Sequence, residues 1–464
     1  MHAVGLKGLI HGIISHPLRI RTTLASMATG AFISSTGSII VILARDFSRP
    51  ETDFSLVGSA FGCGCLIVGL VGRFALQHVG ASRMLDAMAL LFSLGVVWLI
   101  FAPTFTMAIA AALLAGFAAS AALLLMPYVF QGPGAASMMA FTTGCSSLAG
   151  VLAPFIYGFV DSFNGLNGRY ALLINFVLIL PILLIGRPRT HANTTIYVEG
   201  DVVAPSEHTA GKWHNHESTG ICEDSTTCPA SDAEVSQGSA PDTALSGAVV
   251  SASGTDGAAS DIAKLSSPKQ PFFSIPPRVT ALLLSCYLRQ FLAMCIEYLI
   301  YAWGATKLVS DGMSVGAASM GVAAFPLGMM STRLFAAPFA QRRAIMQICA
   351  ALVVAGLSVI VVSPSVVVTI FGFYCAGCGV GLMYPIALDA ILRVPGVAAQ
   401  KATATATLIG GIAILAGPMG AAYVGEAFGL DAAFSVGIIC ALILAVLPSQ
   451  MHQLRGGAHS TTCR

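Results

Sequence analysis

The hydrophobic and polar positions of this chain resolve into twelve apolar stretches, arranged as two sets of six on either side of a polar insert. A helix needs about 20 apolar residues to cross the hydrocarbon core of a bilayer. Runs beginning near Thr22, Phe54, Met84, Phe105, Ala136 and Tyr170 meet that length before the insert. Runs beginning near Val279, Met313, Ala344, Ser365, Ala402 and Ala432 meet it afterwards, and the last ends close to Pro448. The pattern predicts an all-α membrane protein with twelve transmembrane helices in two pseudo-symmetric halves, 22–189 and 274–449. Short tails, 1–21 and 450–464, flank them.

The halves repeat at an offset of about 260 residues, the search for such a period coming before any motif. Gly72-Arg73-Phe74 ends the second run and Arg83 follows; Thr332-Arg333-Leu334 ends the eighth and Arg343 follows. Pro127 and Gln131 match Pro385 and Asp389, and Gly150 with Pro154 answers Gly417-Pro418. Gly and Pro at matching points of a repeat mark helices that bend or pack closely where halves move against each other.

The insert, 190–273, is rich in Ser, Thr, Ala, Gly and acidic residues and lacks helical or strand periodicity. Such a segment cannot bury enough apolar surface to offset its ordering entropy, which predicts a disordered loop. Its His208, His214, His216, Cys222 and Cys228 form a weak metal-binding pattern, with solvated linker residues as the simpler alternative.

Composition strengthens the membrane assignment: 56% of residues are hydrophobic, 9% are charged, and the mean hydropathy is +0.82. The formal net charge of +2 gives no reason to expect a nucleic-acid partner. Lys and Arg favour cytoplasmic flanks. Lys7, Arg19, Arg21, Arg83, Arg187, Arg189, Arg278, Arg342, Arg343, Arg393, Lys401 and Arg455 fall on the side of the termini, against Arg45, Arg49, Arg169 and Lys307 on the other. Both termini and the insert are therefore expected in the cytoplasm, with the protein multi-pass in the cell membrane. Of the twelve cysteines, nine lie inside predicted spans, Cys375-x-x-Cys378 among them, and read as small packing residues.

An ionisable group at membrane depth costs at least about 2.5 kcal/mol, so it is a functional candidate by default. Arg289 and Glu297 stand out in the seventh run. Arg289 lies eleven residues beyond Arg278, roughly 16 Å into the membrane. Eight residues of helix separate Arg289 from Glu297, turning them about 80° apart and preventing simple pairing. Cys286, Gln290, Glu297 and Tyr301 share a stripe expected to face a water-filled cavity, with Glu297 carrying a proton and Arg289 attracting an anionic or polar substrate group. A structural role, Glu297 bonded to another helix and Arg289 to backbone carbonyls, is the competing account. Tyr301 and Trp303 offer aromatic faces to a ring, or Trp303 anchors the helix at the interface. Some of the hydroxyls of the first run, among Ser26, Thr29, Ser34, Ser35, Thr36 and Ser38, are expected to line the same cavity. Arg73, Arg333, Asp86 and Asp389 fall near helix ends and are candidate gating pairs, Arg333 with Asp389 or Asp389 with Arg393; snorkelling and surface pairing are the alternative.

Two six-helix halves, a cytoplasmic central loop and a helix-ending arginine in each half resemble the major facilitator superfamily. The loop after the second run reads Arg73-Phe74-Ala75-Leu76-Gln77-His78-Val79-Gly80 with Arg83 beyond, keeping the superfamily's Gly and trailing base but replacing its Asp and Arg by Gln77 and His78. Glu297 and Trp303, six apart, are similar to a pattern of the fucose-permease-like branch, although runs one and four lack the acids of its sugar permeases. The resemblance implies a secondary active transporter moving a small solute by alternating access, proton-coupled, monomeric and embedded in lipid. It implies no cofactor beyond a proton or other ion gradient. A drug or metabolite efflux antiporter of the same fold is the alternative within that class, and a transporter-like receptor or scaffold using the loop is the alternative outside it. No HExxH pattern, intramembrane His pair or Ser elbow supports an enzyme, and no Gly-rich phosphate loop supports ATP-driven pumping.

Overall fold

The computed structural model describes residues 12–130, 135–163, 167–185, 277–335, 344–394 and 399–447. The insert and its candidate metal ligands lie outside this set. The described chain is helical: α1 (Pro17–Ser34), α2 (Thr36–Phe47), α3 (Ser55–Val79), α4 (Ala81–Ile100), α5 (Phe105–Val129), α6 (Ala135–Ser162) and α7 (Ile174–Leu184) before the insert. After it come α8 (Pro277–Ser310), α9 (Val315–Val322), α10 (Ala324–Phe335), α11 (Ile345–Val362), α12 (Val366–Leu392), α13 (Ala399–Phe428) and α14 (Leu430–Val446). Among the described residues nine spans are long and apolar enough to cross a bilayer, and α1 with α2 make a tenth, bent by 48°. The shorter apolar segments Gly168–Leu184 and Leu430–Val446 complete the two sets of six. Each observed span begins within a few residues of its apolar run, as the hydrophobic pattern predicts.

The bend in the first span has a local cause. The hydroxyls of Ser34 and Ser35 both donate to the carbonyl of Ala31, at 3.2 and 2.8 Å. Side-chain donors competing for a ladder carbonyl loosen and bend a helix. The bend carries Gly37 against the backbone of Tyr301 and Ala302 in α8, a contact that a Cβ at residue 37 would obstruct.

Small residues let the helices approach elsewhere too. Ala108, Ala111, Ala112, Ala115 and Ala119 of α5 have no exposed surface, and Gly158 of α6 meets the carbonyl of Gly316 in α9. Large apolar side chains such as Leu70, Phe74, Val367, Phe371 and Val446 point outward, as a lipid-facing perimeter requires.

Charged groups concentrate at the ends of the bundle and pair within their own half. On the side away from the termini, Arg45 reaches Asp161 at 2.8 Å, and Asp46 accepts from Arg169 and from Asn167, each at 2.8 Å. In the second half, Lys307 binds Asp311 at 2.8 Å and Asp431 at 3.0 Å. On the side of the termini the buried Arg21 pairs with Asp86 and donates to Ser82 Oγ at 2.7 Å and to the Ile182 carbonyl at 3.0 Å, tying α1, α4 and α7 together.

Candidate functional site

A cavity lies between the halves. Its first-half wall consists of Ser26, Thr29, Gly30 and Ile33 from α1, Ala122, Leu123 and Met126 from α5, and Thr143, Ser146 and Ser147 from α6. Its second-half wall consists of Met294, Glu297, Tyr298 and Tyr301 from α8, Arg333 from α10 and Tyr384 from α12. The first wall is hydroxylic and apolar; both charges belong to the second.

Packing fixes the second wall. The Tyr298 ring stacks on Phe61 with centroids 5.8 Å apart, and Tyr301 meets Phe325 edge-on at 5.0 Å. The Tyr301 hydroxyl donates to Met329 Sδ at 3.2 Å. Glu297 is buried, and its carboxyl group has no hydrogen-bond partner among the described residues; it faces the cavity with Arg333 close enough to interact electrostatically. Arg333 donates through Nε to the Gly381 carbonyl at 2.9 Å in its own half. Through Nη1 it reaches the other half, at 2.5 Å to Ser147 Oγ and 3.4 Å to the Thr143 carbonyl.

Of the predicted stripe on α8, Glu297 and Tyr301 line the cavity, whereas Gln290 and Cys286 do not. Gln290 shares the direction of Glu297, since seven residues make nearly two full turns. At its depth, however, α13 covers that face, and Gln290 Nε2 donates to the Ala406 carbonyl at 2.8 Å. Trp303 is six residues from Glu297 and so points about 120° away; its Nε1 donates to the Pro418 carbonyl at 3.1 Å. Arg289 is buried outside the cavity lining, beside Cys286 on a helix that continues unbroken through it.

Of the two pairings expected for Asp389, the one within its own helix is present. Asp389 binds Arg393 at 2.8 Å, one turn on, and Arg333 is not its partner. Asp86 is held by Arg21 inside the first half. The Arg73 side chain lies outside the described set. Arg333 sits near the end of an apolar run, so sequence alone placed it at the surface. Helical side chains lean toward the N-terminus, though, and a long arginine at that position reaches back into the bundle. Tyr298, Tyr384, Thr143, Ser146 and Ser147 carried no individual signal, being ordinary membrane-helix residues in the sequence.

The family model described as Major Facilitator Superfamily matches residues 22–400, more than half of the chain, from α1 through α12. The chain belongs to the Major Facilitator Superfamily. It is accordingly an integral, multi-pass membrane protein and a secondary transporter of small molecules rather than an enzyme. No curated protein matches the sequence significantly. Among solved structures, the D323A mutant of the nucleoside transporter NupG is 11% identical, with a TM-score of 0.59 over 95% of this chain and 100% of its own. A bacterial homolog of the human lysosomal transporter Spinster, inward-facing and unoccupied, is 12% identical, with a TM-score of 0.59 over 95% of this chain and 97% of its own. Identities this low establish the shared fold alone.

Proposed function

We propose that the protein moves a small polar solute across the cell membrane by alternating access, coupled to protons through Glu297. The single observation behind this is a buried carboxyl group that faces a cavity between the halves without a hydrogen-bond partner among the described residues. A carboxylate serving only as a structural tie has donors around it; one serving as a proton carrier has to remain reachable. The segments 22–189 and 274–449 are the moving bodies, and the protein acts as a monomer. The termini and insert lie in the cytoplasm, on the strength of the Lys and Arg bias. The spacing of Glu297 and Trp303 supports kinship with the fucose-permease-like branch, Trp303 acting as a helix anchor.

The cytoplasmic gate in this reading is Arg333, which bridges the halves, with Arg73 as its counterpart in the repeat. Asp86 and Asp389 serve the gate indirectly by holding Arg21 and Arg393. Rocking of the halves has to break the Arg333–Ser147 bond in the step that opens this side.

Glu297→Gln tests the coupling, because it mimics the protonated acid at nearly constant volume. In proteoliposomes, accumulation driven by a pH gradient disappears while exchange of labelled solute at equal concentrations survives. A well-folded variant that still accumulates solute in response to the gradient refutes the role given to Glu297.

A further inference from the structure

The two cavity walls differ in the hydrogen-bonding capacity they leave open. A hydroxyl has one proton to donate. On the first wall Thr29 spends it on the Ala25 carbonyl at 2.9 Å, Ser146 on the Ser26 carbonyl at 2.8 Å and Ser147 on the Thr143 carbonyl at 3.1 Å. These three present only lone pairs to the cavity, and Ser26 alone of the α1 and α6 serines on this wall keeps its hydroxyl proton without a partner among the described residues. On the second wall the balance is reversed. Arg333 commits Nε and Nη1, but Nη2 with its two N–H groups has no partner among the described residues, and neither have the hydroxyls of Tyr298 and Tyr384. Unspent donors thus gather beside Glu297.

Charge narrows the choice of solute further. Among the described residues Glu297 and Arg333 are the only charged ones lining the cavity, so it is neutral with the acid ionised and carries one positive charge once the acid is protonated. Tyr298 and Tyr301 face Glu297 from its own helix, Tyr384 from α12 and Arg333 from α10, with Cys65 of α3 near Tyr298 and Tyr384. Tyrosine and arginine hold their charge state through the physiological range. The lining residues of α1, α5 and α6 do not titrate, so Glu297 alone changes the charge of the cavity. An uncompensated charge crossing the low-dielectric region is expensive.

We propose that the transported solute is a small carboxylate monoanion that enters with one proton, its carboxylate held by Arg333 Nη2 and the hydroxyls of Tyr298 and Tyr384. This rests on Glu297 as the proton site. A proton on Glu297 and a monoanion on Arg333 leave the loaded cavity neutral, and their departure leaves the empty cavity neutral again. A neutral solute with its proton carries one net charge across, and a cation with its proton carries two. Planar carboxylates also suit a guanidinium on the cavity wall that keeps one nitrogen unspent.

The test uses the full chain in proteoliposomes, with the membrane potential set by potassium and valinomycin and a proton gradient imposed inward. The probes are labelled pyruvate, glycerate and mandelate, acids strong enough to remain ionised, with labelled glucose and choline alongside. At least one carboxylate accumulates above protein-free vesicles, at a rate that follows the pH gradient and does not change with potential, while glucose and choline do not accumulate. Arg333→Gln lowers that rate by about tenfold or more, the loss expected for a charge-assisted hydrogen bond, and Arg333→Lys restores part of it. Should Arg333→Gln fail to fold, Tyr384→Phe decides: it raises KM for the carboxylate about threefold or more by losing one hydrogen bond, and an unchanged KM in the folded variant overturns the proposal. Gradient-driven uptake of glucose or choline without the carboxylates overturns the anion assignment and leaves proton coupling standing. A gradient that drives no solute overturns both.

Discussion

The two halves of the bundle are built on one repeat and each neutralises a buried cation at home, Arg21 with Asp86 and Lys307 with Asp311, yet among the described residues the second half alone also turns buried charge toward the cavity. In the first half Arg21 is completely buried and neutralised at home by Asp86, with Ser82 and the Ile182 carbonyl taking its other donors. In the second half neither Glu297 nor Arg333 has a hydrogen-bonded partner of opposite charge among the described residues; Arg333 donates to a carbonyl of its own half and to a hydroxyl and a carbonyl of the other, leaving Nη2 open. Charge cancelled inside one half cannot respond when the halves move. Charge satisfied across the boundary, or facing the cavity, has to respond. The first half therefore supplies the scaffold and a hydroxylic wall, and the second supplies the chemistry.

The largest effect that sharpens this contrast belongs to the first half. Arg21→Met breaks the Arg21–Asp86 pair and leaves the Ser82 and Ile182 acceptors without their donor, and removing one member of a buried pair costs about 3–5 kcal/mol. The expected result is a collapse in the yield of monodisperse protein on size-exclusion chromatography. Arg21→Met combined with Asp86→Leu removes both charges and recovers much of that yield, whereas Glu297→Gln alone stays well folded. Equal loss of folded protein in Arg21→Met and Glu297→Gln breaks the distinction between scaffold and chemistry.

A smaller effect is expected where the halves touch. Ser147→Ala deletes the hydroxyl that accepts from Arg333, leaving the Thr143 carbonyl as the remaining contact across the boundary. Hydrogen bonds to charged groups contribute about 1.5–3 kcal/mol. The equilibrium between the two access states should move by roughly tenfold or more toward the one in which the bond is broken. Labelling of a cysteine introduced beside Met126, compared with and without Ser147→Ala, reads that shift; identical labelling rates remove Arg333 from the gate.

How much of this was legible beforehand follows from what each residue depends on. The twelve spans depend on apolar run length, a local property, and so were readable to within a few residues. The repeat anchors were readable for the same reason: Pro127 and Pro385 fall inside α5 and α12, and Pro154 and Pro418 inside α6 and α13. Glu297 was readable because an acid in an apolar run is rare. Gln290 was placed on the cavity because the polar stripe of α8 does not reveal which neighbour covers it at each depth; α13 covers it, and the same helix takes the Trp303 Nε1 proton, against a ring-binding role for Trp303. The opposite error hid Arg333. Its position near a helix end suggested solvent, and only the reach of the side chain back into the bundle puts it on the cavity wall.

Trp303→Phe should have a modest effect. It removes the bond to the Pro418 carbonyl, a single neutral hydrogen bond of about 1 kcal/mol, while preserving most of the aromatic packing between α8 and α13. A small drop in the thermal midpoint with KM unchanged is expected. A large rise in KM at unchanged stability moves Trp303 into the binding site, against its orientation away from Glu297.

The smallest effect of all is expected from replacing most of 190–270 with a shorter Gly- and Ser-rich linker. Both halves find their partners through helix contacts that the insert does not supply: Gly158 with Gly316, Gly37 with Tyr301, and Arg333 with Ser147 all join residues on opposite sides of it in sequence. The insert's own composition gives it too little apolar surface to add a core. Lengthening or shortening a flexible connection changes closure entropy only slowly, by about 0.6 kcal/mol per doubling. The replaced protein should insert, elute as a single species and carry solute at a rate within about twofold of the full chain. The control is a linker series in which the shortest member cannot span the gap and fails. Loss of inserted protein with the longer linkers as well would show that the insert takes part in assembling the halves, and the contrast between two self-sufficient bodies would then have to be redrawn.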